Sequence, residues 1–345
     1  MSTAPRTPPG SAPATAPAPV LDVRDLTVDV VHRGADLRVV DGVGYTLHEG
    51  ETLALIGESG SGKSMSAMAA MGLLPDRTTR VGGSVRLRGT DLLTLPPARL
   101  REQRGRNIAM IFQDALSALN PTLTVGFQIA ETLRVHEGLG RREARERAID
   151  LMARVRISDP ARRYHDHPHR FSGGMRQRIM IASAVALRPD VLIADEPTTA
   201  LDVTVQAQIV ELLVGLQRET GMALLLITHD LGLAAGVADR VAIMYAGRIV
   251  EEAPVLDLYD RPLHPYTRGL LAAVPRLDPR GGHDRLVPVA GSPPAPGDLP
   301  SGCAFHPRCP SAGPSCQEQT PMLLPVLPGR RTAACHHVPE VSRAG

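Results

Sequence analysis

The eight residues GESGSGKS (57–64) fit the pattern Gly-x4-Gly-Lys-Ser/Thr. The chemistry of that spacing is a cradle for a polyphosphate. Glycines let successive backbone N–H groups turn inward, and the start of a following helix adds its positive dipole end to the same concavity. Lys63 then reaches the β- and γ-phosphates, and the Ser64 hydroxyl serves Mg2+. Gly57, Ser59, Gly60, Ser61 and Gly62 complete the expected contact set. Lys63 is also the single lysine among 38 basic side chains, the rest being arginine. A chain that uses arginine wherever arginine serves keeps lysine where a compact ammonium is required and a planar guanidinium does not fit.

Two further clusters carry chemistry. In VLIADEP (191–197) four apolar residues mark a fully buried strand, and Asp195 and Glu196 emerge at its carboxyl end. In a doubly wound sheet that end lies beside the phosphate loop. Asp195 is expected to assist Mg2+ through water, and Glu196 to polarise the attacking water. In FSGGMRQR (171–178), Ser172, Gly173 and Gly174 open a helix and present two glycine amides and a hydroxyl, a second anion site. It has no phosphate of its own nearby in sequence, so it is expected to serve another nucleotide. Read alone, it is a serine N-cap with glycines that permit close packing.

These clusters need elements to hold them. LDVRDLTVDVV (21–31) and RVVDGVGYTL (38–47) alternate like paired strands, and ETLALIG (51–57) reads as a buried strand entering the phosphate loop. A helix is expected over 64–74, a strand over NIAMIFQD (107–114), and charged helical segments from about 115 to 170. After these come a helix at 175–188, strand 191–195, helix 203–219, strand 222–228, a short helix and strand 240–246. Strands alternating with helices imply right-handed crossovers and a parallel sheet covered on both faces. Beyond 250 the chain turns proline-rich and loses periodicity.

From about 21 to 260 the chain resembles the nucleotide-binding subunits of ATP-binding cassette transporters. GESGSGKS resembles that family's Walker A loop, VLIADEP its Walker B strand and FSGGMRQR its signature. The resemblance implies an α/β P-loop NTPase (RecA-like) fold: a parallel sheet core, an antiparallel β subdomain, a helical insertion and a loop-rich C-terminal module. It implies ATP and Mg2+ as cofactors, with Gln113 as the Q-loop glutamine sharing Mg2+ with Ser64 and Asp195. TTALD (198–202), ending in Asp202, is similar to the D-loop, and His229 in ITHD to the switch histidine at the γ-phosphate. Glu196, His229 and Gln113 are thus the expected catalytic set. Two cassettes are expected to meet head to tail, Ser172–Gly174 of one facing the γ-phosphate held by Lys63 of the other. Closure would be transmitted to membrane subunits docked near Gln113 and the helical insertion. Two departures stand out. Met175 replaces the commoner glutamine of the signature, and Val30, Val31 and His32 stand where an aromatic usually stacks on adenine, so affinity is expected to rest on the phosphates.

LHPYTRGLLAAVP (263–275) and GCAFHPRCP (302–310) resemble the tail shared by dipeptide, oligopeptide and nickel importer ATPases. The expected divisions are a 1–20 Ala/Pro tail without order, a 21–250 ATPase domain with its helical subdomain near 115–175, and a 251–345 module. Cys303, Cys309, Cys316 and Cys335, separated by 5, 6 and 18 residues, all lie in that module. Four thiolates in proline-rich loops suit a tetrahedral zinc site or a 4Fe–4S cluster, or are simply free. The absence of a CxxC pair weakens a zinc ribbon, and the resemblance to peptide-importer ATPases that carry an iron–sulfur cluster favours 4Fe–4S in a structural role.

Composition excludes other classes. With 38 basic and 36 acidic side chains the net charge is +2, against a broad nucleic-acid face. No apolar run approaches the ~18 residues of a membrane span. The first twenty residues hold six prolines and no apolar signal core, so reduced or metal-bound thiols and a place at the cytoplasmic face of the membrane are expected. The leading expectation is an ATPase powering di- or oligopeptide import, with a second cassette (a paralogue rather than a copy), two permeases and a solute-binding protein as partners. A nickel-importer ATPase is the alternative within the family. A soluble ABC ATPase is the alternative of another class, although such chains usually carry two cassettes or a long coiled coil. A non-hydrolytic regulator with a vestigial loop sits poorly with the complete set Lys63, Asp195, Glu196 and His229.

Overall fold

A computed structural model describes residues 18–32, 35–199, 201–274, 288–327 and 331–338. Most of the expected 1–20 tail, and Pro275 of the 263–275 segment, lie outside the described residues. The alternating N-terminal stretches form β1 (Leu21–His32) and β2 (Ala35–Leu47), paired antiparallel. Next come β3 (Thr52–Ile56), α1 (Lys63–Ala70), β4 (Thr79–Leu87) and the short β5 (Thr90–Asp91). α2 (Pro97–Gln103) and β6 (Ile108–Ile111) lead into the helical insertion: α3 (Ala115–Ala118), α4 (Val125–Glu137), α5 (Arg141–Arg154) and α6 (Pro160–Arg163). The chain returns through α7 (Gly173–Ala184), β7 (Val191–Asp195), α8 (Val203–Thr220), β8 (Ala223–Thr228), α9 (Leu231–Val237) and β9 (Arg240–Tyr245). The proline-rich end supplies β10 (Arg248–Pro254), α10 (Val255–Asp260), α11 (Pro265–Ala272), α12 (Pro314–Glu318), β11 (Leu324–Leu327) and β12 (Arg331–Ala333).

Two sheets result. β2-β1-β4-β5 is antiparallel, and the larger sheet runs β11-β12-β10-β9-β3-β8-β7-β6. Within it β9, β3, β8, β7 and β6 are parallel, and their residues are almost all buried, as expected of strands covered on both faces. The period of two distributes each strand between two cores. Val191, Ile193, Leu225 and Ile227 join Leu53 and Leu55 against the antiparallel sheet. Leu192, Ala194, Leu224 and Leu226 pack instead with Ile179, Ile181, Leu213 and the helical insertion. Truncating one of these leucines to alanine is worth about 2–5 kcal/mol.

The C-terminal region is built onto this sheet rather than tethered beside it. Ala246 and Gly247 both take positive φ, 46° and 84°, the primed two-residue turn that folds β10 back onto β9. β10 therefore runs across position 250, and β12 and β11 add further antiparallel strands to the same edge. Beneath them Tyr245, Tyr266 and Phe305 pack with Ile56 and Ile243 in a third core. The fully buried Glu251 accepts from the Leu263 and His264 backbone N–H groups at 2.8 Å each, tying β10 to the start of α11.

Candidate nucleotide-binding site

β3 delivers the chain to Gly57 at the carboxyl edge of the large sheet, and α1 leaves from Gly62. Glycine is needed at both ends of the turn. A Cβ on Gly57 would lie 2.2 Å from the Met244 carbonyl oxygen, and Gly62 has φ +101 with its Cβ position 2.7 Å from the Val39 carbonyl. Lys63 is 5% exposed. Its Nζ donates to the carbonyls of Gly57 at 2.8 Å and Glu58 at 2.9 Å. Burial lowers its pKa, while the carboxylates of Glu196, Asp195 and Glu58 favour the charged form. The compact ammonium fits between the two loop carbonyls.

The acidic pair meets this loop from β7. Ser64 Oγ donates to Asp195 Oδ1 at 2.9 Å, and burial pushes the Asp195 carboxyl up, with the Ser64 hydrogen bond opposing it. Glu196 follows with φ +43, in the left-handed region that non-glycine residues seldom occupy. That turn lifts its carboxylate away from the sheet into a ring of polar side chains. Its Oε2 accepts from Gln113 Nε2 at 3.1 Å and Thr199 Oγ1 at 2.8 Å, and His229 Nδ1 stands 3.4 Å away. Gln113 comes from the exit of β6 and His229 from the exit of β8, so three neighbouring parallel strands converge on one carboxylate.

The cleft so formed has a volume of about 580 Å3, the size of a small-molecule site. Ser59, Gly60, Gly62, Lys63, Ser64, Gln113, Glu196 and His229 line it. Gly57, Ser61 and Asp195 stand behind that surface. Ser172, Gly173, Gly174 and Asp202 do not line it. Ser172 caps α7 by accepting from the Met175 N–H at 3.4 Å, and both Ser172 and Gly173 are exposed. A Cβ on Gly174 would meet Val205 Cγ1 at 2.6 Å, which places this turn against α8. Asp202 caps α8, accepting from the Val205 N–H at 3.0 Å.

Several residues at the site escaped the sequence reading. Thr199 lies inside TTALD, and its hydroxyl would have been a fair candidate from that position. Val39, Met65 and Pro296 also line the cleft, and nothing in their types announces it. Val39 and Pro296 offer apolar walls on a chain that has Val30 and Val31 in place of the family's usual aromatic.

The four cysteines form no disulfide. Burial raises the thiol pKa of Cys303, Cys309 and Cys335, and neighbouring cysteines of the set push each of them further up. Cys316 Sγ lies 3.4 Å from His337 Nε2. Among the described residues, no three His, Cys, Asp or Glu side chains are gathered closely enough to hold a metal ion as they stand.

A parallel sheet with a glycine-lined loop at its carboxyl edge, an ammonium in the loop and an acidic pair on the neighbouring strand defines a P-loop nucleoside triphosphatase. The sequence comparisons narrow this. The ABC transporter family profile matches residues 40–199, and that of the oligopeptide/dipeptide transporter C-terminal region matches 250–316. A Brucella abortus (strain 2308) relative, named as a peptide import ATP-binding protein, is 54% identical over 92% of this chain and 95% of its own. The oligopeptide transport ATP-binding protein OppD of Salmonella typhimurium is 47% identical over 93% of this chain and 95% of its own. Among solved structures, the ATP-binding cassette MJ0796, a dimer bound to ADP and Pi in a post-hydrolysis state, is similar with TM-score 0.61 and 26% identity. That match covers 68% of this chain and 98% of MJ0796. The chain belongs to the ABC transporter family and is an ATPase of that family.

Proposed function

We propose that this chain is the ATP-hydrolysing subunit that powers import of di- and oligopeptides through a membrane ABC transporter. One observation carries the reading: a complete phosphate-loop constellation shares a sheet with a C-terminal region matching the oligopeptide/dipeptide transporter profile. The names of the Brucella and Salmonella relatives support the peptide cargo over nickel.

In this reading Lys63 leaves its loop carbonyls to bind the β- and γ-phosphates, and the amides from Ser59 to Ser64 hold the remainder. Ser64, Asp195 and Gln113 are the residues suited to hold Mg2+, which would neutralise phosphate charge when bound; two hard oxygen donors and an amide oxygen fit such an ion. Glu196 orients and polarises the attacking water, and His229 contacts the γ-phosphate. Phosphoryl transfer needs positioning and charge neutralisation above all; in this reading the Glu196 ring supplies the positioning, and Lys63 with Mg2+ would supply the neutralisation. Ser172, Gly173, Gly174 and Asp202 are assigned to the nucleotide of a second cassette, the exposure of Ser172, Gly173 and Asp202 suiting an interface.

The partners in this reading are that second cassette, a paralogue by preference, two permease subunits and a solute-binding protein, with no nucleic acid. No helix among the described residues is long and apolar enough to cross a membrane, so attachment at the cytoplasmic face runs through the permeases. The 21–250 and 251–345 divisions stand in this reading as functional units: a motor, and a module fused to its sheet. The four cysteines are assigned to a structural 4Fe–4S cluster, with zinc as the alternative. What supports this is the confinement of all four cysteines to the C-terminal module, with none in the first 302 residues. Anaerobically purified chain is expected to hold about four iron and four sulfide; colourless, zinc-loaded protein would end that assignment. For transport, the assembled complex in vesicles should hydrolyse ATP faster when short peptides are supplied through its binding protein. Stimulation by nickel but by no peptide would overturn the cargo.

A further inference from the structure

Glu58, the second residue of the phosphate loop, is held by a side chain 250 positions away. Arg308 lies in a tight turn, His306–Arg308, directly before Cys309, and its side chain is 6% exposed. Its Nη1 donates to Glu58 Oε2 at 2.7 Å and its Nη2 to Glu58 Oε1 at 3.0 Å. The remaining donors are also engaged: Nε with the Ala290 carbonyl at 2.8 Å, Nη1 with the Tyr245 hydroxyl at 3.4 Å, Nη2 with the Gly291 carbonyl at 3.3 Å. The rings of Tyr245 and Phe305 lie 5.8 and 5.9 Å from the guanidinium carbon. A guanidinium with every donor used in one geometry is a rigid clamp, and a bidentate fork fixes the carboxylate plane as well as its position.

The backbone of Glu58 is where the clamp reaches the cleft. Its carbonyl accepts from Lys63 Nζ and from the Ser61 N–H, and its own N–H donates to the Tyr266 hydroxyl at 3.0 Å. One residue thus separates the Lys63 ammonium from the Arg308 guanidinium. Charge gives a second reason for the pair. An unpaired carboxylate in a loop built to receive a polyphosphate would repel it, and Arg308 cancels that charge. Pro296, from the same C-terminal region, also lines the cleft.

We propose that Arg308 is a positioning residue for ATP binding: through Glu58 it sets the phosphate loop and neutralises the loop's own negative charge, making the cysteine-bearing segment part of the nucleotide site. The inference rests on the nucleotide reading of the cleft. Its test uses the full-length chain, titrated with a fluorescent ATP analogue and Mg2+, and the assembled transporter for steady-state kinetics. R308Q should raise both the Kd and the KM for ATP about tenfold while kcat stays within about threefold. Adding E58Q to R308Q should recover at least half of that loss, because the stranded carboxylate is gone; a merely structural defect would not be rescued. Wild-type affinity in R308Q, or no recovery in the double variant, overturns the proposal. If R308Q does not accumulate folded, R308K decides: a KM raised about threefold supports the clamp, and a wild-type KM refutes it. K63A serves as the control, since affinity retained there would remove the nucleotide reading itself and not the clamp alone.

Discussion

The N-termini of α1 and α7 begin from the same physics and end in opposite surroundings. Both helices start with glycine amides and a serine, the recipe for an anion site. At α1 the turn is enclosed: Lys63 is buried, Ser64 is bonded to Asp195, and strands β3, β6, β7 and β8 bring their polar ends to it. At α7 the turn is open. Ser172 caps its own helix, Gly173 faces outward, and neither lines the cleft. The α1 turn carries its counter-charges within one chain; in the function proposed above, the exposed α7 turn is the half that serves a second cassette's nucleotide. A third helix start, α11, shows what a purely structural one is like: the buried His264 caps it with Nδ1, accepting from the Tyr266 N–H at 3.0 Å.

Substitutions in the enclosed site, at the open turn and at α11 would break or sharpen that contrast. The largest effect is expected for Glu196→Gln, which keeps the hydrogen-bonding shape of the enclosed site and removes its base. Turnover should fall about 1000-fold with ATP still bound and the cassette pair trapped closed; unchanged phosphate release would take Glu196 out of its role. Next, Lys63→Ala should weaken nucleotide binding to the isolated chain about 100-fold, read by titration, since a buried charged donor to the phosphates is lost. The open site should behave differently. Gly173→Asp meets only Leu201 Cδ2 at 3.5 Å, and an aspartate suits a helix start, so the chain should fold and bind ATP as before. Turnover of the assembled transporter should still drop about tenfold, because the new charge would face the partner's γ-phosphate. Equal turnover would mean that α7 faces no nucleotide.

The smallest effect belongs to α11. Burial depresses the His264 pKa to about 4 from an ordinary 6.5. The native state thus holds the neutral ring while the unfolded chain takes up a proton. The stability this residue contributes is complete above pH 6.5 and is lost as pH falls toward 4. Between pH 6.5 and 5.5 the loss should be about 1 kcal/mol. Denaturant melts at the two pH values would show it, and a His264→Asn chain, whose cap does not titrate, should lack it.

Much of this was legible in one dimension because it depends on near neighbours in the chain. GESGSGKS specifies a glycine turn and a helix start by itself, and VLIAD, four apolar residues before two acids, specifies β7 to the residue. What escaped notice depended on distance or on weak pattern. β4, TRVGGSVRL, carries two mid-strand glycines and exposes four of its residues, so its alternation is faint, and its place beside β1 comes from pairing. β11 and β12 are four and three residues long and gain their stability from pairing, β12 with β10 and β11 with β12, which no local propensity announces.

The residue types and spacings settled which groups could touch phosphate, because backbone conformation and side-chain chemistry act within a few residues. They also pointed to strands buried on both faces, because short unbroken apolar runs present no polar face to water. Which strand ends stand side by side was decided only in three dimensions. Gln113, Glu196 and His229 meet because β6, β7 and β8 are consecutive in the sheet, and Arg308 reaches Glu58 because the tertiary core brings together segments 250 positions apart. Such long-range pairings are selected by the packing of the whole chain, since closing so long a loop is repaid only when an entire core forms around it.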